Sequence, residues 1–231
     1  MTVPIITGIA GGSGCGKTTL AEGLCRLTED YGSVTFSLDD YYRGLPAGVA
    51  PGDFNFDEPS ALDLDRFASD LAELRAGRAV RRPVYDFTLH RRADREQETR
   101  PAPLIIVEGL FLFVEPALRD LFDFRFFADV PAEERLRRRI RRDEASRGRG
   151  EADIRAQWDR QVEPMYARHI LPTRVHAHFV LEMPRPDDLA YSEQVVAMWG
   201  LVERRLREVH GDRMSLRCRS GKMSMPSADL T

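Results

Sequence analysis

Residues 11–19 read Gly11-Gly12-Ser13-Gly14-Cys15-Gly16-Lys17-Thr18-Thr19. A glycine, four variable positions, then glycine, lysine and a hydroxyl residue is the spacing of a loop that cradles phosphates. It stands between an apolar run at 5–10 and a helical pattern that begins near Thr18. Glycines 11, 12, 14 and 16 let backbone N–H groups turn inward around a polyphosphate, Lys17 brings a mobile point charge, and Thr18 offers a hydroxyl to Mg²⁺. The following helix directs the positive end of its dipole at the same anion. These residues predict a site for a nucleoside triphosphate.

A phosphate loop alone does not separate a kinase from a GTPase or a motor, so the other strand ends must decide. In open α/β sheets, ligands sit beyond the carboxyl ends of the strands. The second apolar run ends in Ser37-Leu38-Asp39-Asp40-Tyr41-Tyr42-Arg43, which places a carboxylate, Asp39 or Asp40, beside the nucleotide. The third ends in Glu108-Gly109, where an acid holds Mg²⁺ directly or through water, and the fourth leads to Asp129. Each acid taken singly also suits a helix or turn cap. Phosphoryl transfer to an alcohol needs the set: cations on the β- and γ-phosphates and a carboxylate that accepts the hydroxyl proton. Residues 135–142 are six arginines interrupted only by Leu136 and Ile140, with Arg147 and Arg149 beyond. Helical spacing puts Arg135, Arg138, Arg139 and Arg142 on one face. Like charges so crowded require an anion, and a triphosphate in transfer is one. Gly148 and Gly150 suggest a lid over about 133–150 that closes over the phosphates and excludes water.

Short apolar runs at 5–10, 34–38, 104–107, 124–130 and 179–181 are too continuous for half-exposed strands and suit a parallel sheet covered on both faces. Helical patterns at 18–27, 62–75, 132–142, 154–170 and 189–209 fall between or after them. The fold predicted is α/β, a doubly wound, mainly parallel five-stranded sheet. A β-hairpin excursion is expected at about 80–100. One domain over 1–210 suffices for 231 residues that are 42% hydrophobic. The stretch 211–231 lacks periodicity and is expected to be poorly ordered. A net charge of −3 disfavours nucleic acid as a general partner. Cysteines 15, 25 and 218 form neither a disulfide framework nor a metal spacing. With no leader or membrane-length apolar run, a soluble cytoplasmic protein is expected.

Together these stretches resemble the uridine kinase (uridine–cytidine kinase) family, in the wider group that includes phosphoribulokinase. The likeness is carried by the phosphate loop, residues 37–43, Phe54-Asn55-Phe56-Asp57 with Pro59, Pro83-Val84-Tyr85-Asp86-Phe87 with His90, Val107-Glu108-Gly109, residues 138–149, Gln157 and Val162-Glu163-Pro164. It implies ATP-dependent phosphorylation of the 5′-hydroxyl of uridine, and of cytidine with it, to the monophosphate. Under the resemblance Asp39 is the catalytic base, assisted by Lys17 and Arg142, while Thr18 and Glu108 form the Mg²⁺ environment. Asp57, joined by Arg139, binds the ribose hydroxyls, and Tyr85, His90 and Arg149 surround the pyrimidine edge. Gln157 and Tyr42 are further nucleoside contacts, with Phe56 or Phe87 available to stack on the ring. A homotetramer and inhibition by pyrimidine triphosphates are also implied.

Departures from the family are Cys15, in place of serine or another small residue, and Pro186-Asp187-Asp188, where Asp188 is the implied ATP contact. The Cys15 thiol either faces solvent beside Lys17, as a reactive thiolate, or points inertly into the sheet. Two other readings compete: a kinase of another small alcohol such as a sugar phosphate, and a nucleotide-dependent RNA-binding regulator that uses its arginine helix. A phosphorylated acceptor needs extra cations near Asp57, where this chain offers aromatic rings.

Overall fold

A computed structural model describes residues 3–28, 31–183 and 189–210. Five parallel strands form its main sheet, in the order β2 (Ser33–Ser37), β5 (Leu104–Gly109), β1 (Ile5–Gly11), β6 (Phe124–Asp129) and β7 (Phe179–Glu182). The doubly wound parallel sheet is thus present, with strand ends within a residue or two of the apolar runs. The central strands β1 and β5 are buried along their whole length, which is why both read as uninterrupted apolar runs rather than alternating ones. Antiparallel β3 (Val80–Asp86) and β4 (Arg91–Thr99) make the separate hairpin.

Helices cover both faces. On one, α1 (Lys17–Leu27) and α7 (Leu189–His210) pack with Ile5, Ile9 and Phe126. The three- and four-residue spacing of α7 delivers Val195, Met198, Val202 and Leu206 to this core. On the other face α2 (Leu64–Arg75) joins Phe36, Phe111 and Phe113. The short α3 (Pro116–Arg119) and the 16-residue, arginine-rich α4 (Ala132–Arg147) precede a long helical stretch over 151–170. That stretch begins as α5 (Glu151–Gln157), widens to π geometry at Trp158–Val162, narrows at α6 (Glu163–Met165) and widens again at Tyr166–Ile170. Pro164 lies between the wide turns; lacking an N–H and crowding the preceding carbonyls, it breaks the α-helical ladder that periodicity alone predicts.

The loop and the arginine helix touch closely. Gly14 has φ +80°, and a Cβ placed on it would lie 2.3 Å from the carbonyl oxygen of Arg135. Gly48 has nearly the same φ, +81°, with nothing within 4 Å. At Gly48 alanine meets only left-handed strain, roughly 1–2 kcal/mol, whereas at Gly14 it must also displace α4. Gly14→Ala should therefore lower the midpoint of thermal unfolding well beyond Gly48→Ala and weaken triphosphate binding, while Gly48→Ala binds as the parent does.

Candidate active site

The carboxyl ends of β1, β2 and β5 converge on one cavity of about 850 Å³. Ser13, Lys17 and Thr18 of the loop line it, together with Asp39 and Glu108. Farther out its wall is Tyr42, Phe56, Asp57 and Tyr85, and then Phe87 and His90. Arg139, Arg142, Arg149 and Gln157 form the opposing side. Residues singled out on seven separate stretches of sequence thus share a single chamber. Arg147 and Arg160 also line it; no spacing argument had selected them, although Arg147 stood within the lid segment.

Asp39 is aimed by its neighbours. Ser37 ends β2 and caps the tight turn Leu38–Tyr41, its Oγ accepting from the Asp39 N–H at 3.3 Å. Leu38 and Tyr41 are fully buried, so the turn anchors on both sides of the acid. Gly109 makes room for this, since a Cβ there would stand 2.5 Å from that of Leu38. The choice between the two acids is resolved in space: Asp40 takes Arg82 Nη1 at 2.7 Å and is not part of the cavity wall. Glu108 accepts the Ser37 hydroxyl at 2.6 Å, which ties the third strand end to the second.

The far end is aromatic. His90, in the left-handed region at φ +49°, ends the hairpin turn that Asp86 holds by accepting from the Thr88 and Leu89 N–H groups. Its ring lies 5.2 Å from that of Phe56. The Tyr85 hydroxyl is buried without a hydrogen-bond partner, and burial pushes its pKa to about 12. Burial and the charges of Arg147 and Arg149 lower that of His90, keeping it neutral near pH 7.

Several expectations need correction. Arg135, Arg138, Arg139 and Arg142 do not act as one phosphate-facing row. Arg135 is only 1% exposed and faces inward. Arg138 bonds Glu134 at 2.7 Å and the Met183 carbonyl at 3.2 Å. Counter-charges within the protein, Glu134, Asp143 and Glu163, answer much of the crowding that seemed to demand an external anion. Asp129 leaves the site as well, pairing with Arg174 at 2.9 Å. The Cys15 thiol is fully buried in the core beneath α1 rather than facing solvent, with Lys17 Nζ 3.9 Å from its sulfur. Gly11, Gly12, Gly14 and Gly16 shape the loop backbone, while Thr19 lies off the cavity wall. Asp188 and the tail 211–231 lie outside the described residues.

Against known families, residues 6–190 match the model of the "Phosphoribulokinase / Uridine kinase family". The chain belongs to this family. A uridine kinase of Lactobacillus johnsonii is 37% identical over 191 residues, covering 81% of this chain and 90% of that one. The uridine-cytidine kinase A of Dictyostelium discoideum is 35% identical over 185 residues, 80% of this chain but 37% of its own length. Among solved structures, phosphoribulokinase from Rhodobacter spheroides superposes with a TM-score of 0.64 at 17% identity, covering 90% of this chain and 99% of that one; at that identity the likeness speaks to the fold.

Burial raises the pKa of Asp39, Asp57 and Glu108; Lys17 and arginines pull the two aspartates back down, while Lys17 and the Ser37 hydrogen bond do so for Glu108. For an acid so raised, the ionised form destabilises the empty fold, and acidification relieves this as pH falls through the raised value toward the ordinary 3.8 of an aspartate. Asp39→Asn should thus leave the ligand-free protein at neutral pH at least as stable, with a midpoint up to about 3 °C higher, and flatten the gain the parent shows on mild acidification. The same variant should lose about 10²-fold or more in turnover. Thermal scans across pH, beside steady-state assays, check both.

Proposed function

We propose that this chain transfers the γ-phosphoryl group of ATP to the 5′-hydroxyl of uridine, and of cytidine with it. The observation that carries the reading is a single cavity with a phosphate loop and Asp39 at one end and a buried Asp57 beneath an aromatic wall at the other. Asp57 suits paired ribose hydroxyls as donors, with Arg139 near enough for its charge to steady the carboxylate. Phe56 and His90 offer faces to a flat base, and the unpartnered Tyr85 hydroxyl offers it a hydrogen bond. A named uridine kinase covered over nine-tenths of its length supports the same reading.

In the transfer, the 5′-oxygen attacks the γ-phosphorus as the bond to the ADP oxygen breaks, and Asp39 takes the hydroxyl proton. Lys17 donates at 3.1 Å to the Gly12 carbonyl in the ligand-free loop and is free to turn to the β- and γ-phosphates. Arg142 and Arg147 stand on the opposite wall, placed to meet charge on the transferring group. Thr18 and Glu108 would hold Mg²⁺. Two protein ligands with phosphate and water completing the shell suit this ion, and Glu108 is a buried acid whose charge lacks a full counter-ion. When bound there, the ion would supply positive charge to offset that of the phosphates. Cytoplasmic residence, feedback by pyrimidine triphosphates and a homotetramer belong to the same proposal by family likeness.

ADP release scored against nucleosides and sugar phosphates tests the assignment: uridine and cytidine should be turned over, and turnover of a sugar phosphate alone would overturn it. Within the nucleosides, Asp57→Ala should weaken uridine and cytidine alike. His90→Ala should change their ratio of kcat/KM by roughly tenfold, the effect of a polar group left unpaired at about 1–3 kcal/mol.

A further inference from the structure

Asp143, on the last turns of α4, is fully buried and is not part of the cavity wall. Its two oxygens divide between two pairs of arginines. Oδ1 receives Arg142, through Nε at 2.9 Å and Nη2 at 2.8 Å, and lies 3.5 Å from Arg147 Nη1. Oδ2 lies 3.5 Å from Arg149 Nη1 and 3.7 Å from Arg139 Nε. Each pair reaches both ends of the cavity. The charges of Arg142 and Arg147, with that of Lys17, act on Asp39 at the phosphate end, while Arg142 also acts on Asp57 and Arg147 lies 5.5 Å from the Phe87 ring at the acceptor end. Arg139 and Arg149 converge on the Gln157 side-chain oxygen, at 3.0 and 2.7 Å, and Arg139 acts on Asp57. Arg139 also donates to Ser13 Oγ at 2.8 Å, closing the circuit back to the phosphate loop.

We infer that Asp143 is a positioning residue that couples the two ends of the site: by holding one arginine pair on each carboxylate oxygen, it makes occupancy of either end preorganise the other. Two features carry this. A buried acid shared by four guanidiniums cannot be lost without leaving those cations mutually repelling in a partly desolvated wall. The pairs also lie on opposite oxygens of one rigid planar group, so a shift of one pair turns the plane that sets the other. An exposed ion pair would carry no such weight. The backbone oxygen of Asp143 separately accepts from the N–H groups of Gly148 and Arg149 to end the helix. Asparagine keeps that cap and the side chain's shape while removing the charge, so Asp143→Asn isolates the role proposed.

The inference rests on the nucleoside-kinase reading, and the experiment separates their failures. Calorimetry on the full chain would measure the Mg²⁺ complex of a non-hydrolysable ATP analogue alone, uridine alone, and uridine with the analogue bound. The parent should bind uridine about 5-fold or more tightly in the presence of the analogue. In Asp143→Asn, provided thermal melting shows it folded, that gain should fall below about 2-fold and both ligands should weaken. Its kcat should drop about 10–100-fold, the scale of slight misplacement of catalytic groups. Arg141→Ala, on the exposed outer side of α4, should match the parent throughout. Should Asp143→Asn not fold, Arg149→Lys decides the matter: loosening the Arg139–Arg149 pair should weaken the analogue measured without uridine. Parent-like coupling and kcat in folded Asp143→Asn, or parent-like analogue binding in Arg149→Lys, overturns the inference. A parent that binds the analogue but ignores uridine overturns the kinase reading instead, and the analogue arm still judges Asp143.

Discussion

The buried guanidinium of Arg135 is the interaction on which the architecture of the site depends. Its Nε donates to the Val130 carbonyl at 3.0 Å, and its Nη2 meets both oxygens of Glu163 at 3.1 and 2.8 Å. It lies 3.8 Å over the Tyr166 ring and 5.1 Å from that of Trp158. One side chain thus joins the end of β6, the start of α4 and the long helical stretch over 151–170. The phosphate loop rests on the same post, for Gly12 and Gly14 approach Arg135 so closely that neither has room for a Cβ. Removing one partner of a buried ion pair typically costs about 3–5 kcal/mol. Here it would also release three walls of the cavity from one another.

Around that post the protein balances charge only in part. Glu163 and Glu134 neutralise arginines that hold the structure, whereas Arg142 and Arg147 are shared between Asp143 and, with Lys17, Asp39 across the cavity. Asp39, Asp57 and Glu108 are buried enough to resist ionisation, and burial likewise lowers the pKa of Arg139. Neither sign is fully solvated or fully paired in the empty site. Such a cavity is poised for a ligand that brings both phosphate charge and hydroxyl donors, because that ligand supplies what each set lacks. The cost falls on the empty fold, as expected where stability and activity compete for the same residues.

The aromatic wall follows from the hairpin's attachment. Arg92 donates to the carbonyls of Tyr42 and Tyr41 and to Asp63, and Arg82 takes Asp40. These bonds fix β3 and β4 to the turn that carries Asp39, so the hairpin delivers Tyr85 and His90 at a set distance from the base. Arg82 thereby leaves Asp39 as the acid that faces the cavity.

By itself the sequence determined the phosphate loop, the five parallel strands and the carboxyl-end placement of Asp39 and Glu108. It did so because these depend on local requirements: glycine where backbone must crowd, continuous apolar runs where both sheet faces are covered, and a helix start beneath an anion. Asp57, Tyr85 and His90 were legible through family motifs, since no periodicity marks them. Only the tertiary structure decided which arginines face the cavity. Helical spacing gives a face but not the partner it meets, and Arg135 was claimed by Glu163, 28 residues away. The same holds for Asp40, taken by Arg82 across 42 residues, and for Asp129, taken by Arg174 across 45. It holds also for Asp143, whose four arginines are near in sequence but meet at its oxygens only because α4 ends in a left-handed Gly148 and the chain folds back through Arg149. Charge pairing is settled by which surfaces packing brings together, and that information is carried by the assembled core rather than by any one stretch of chain.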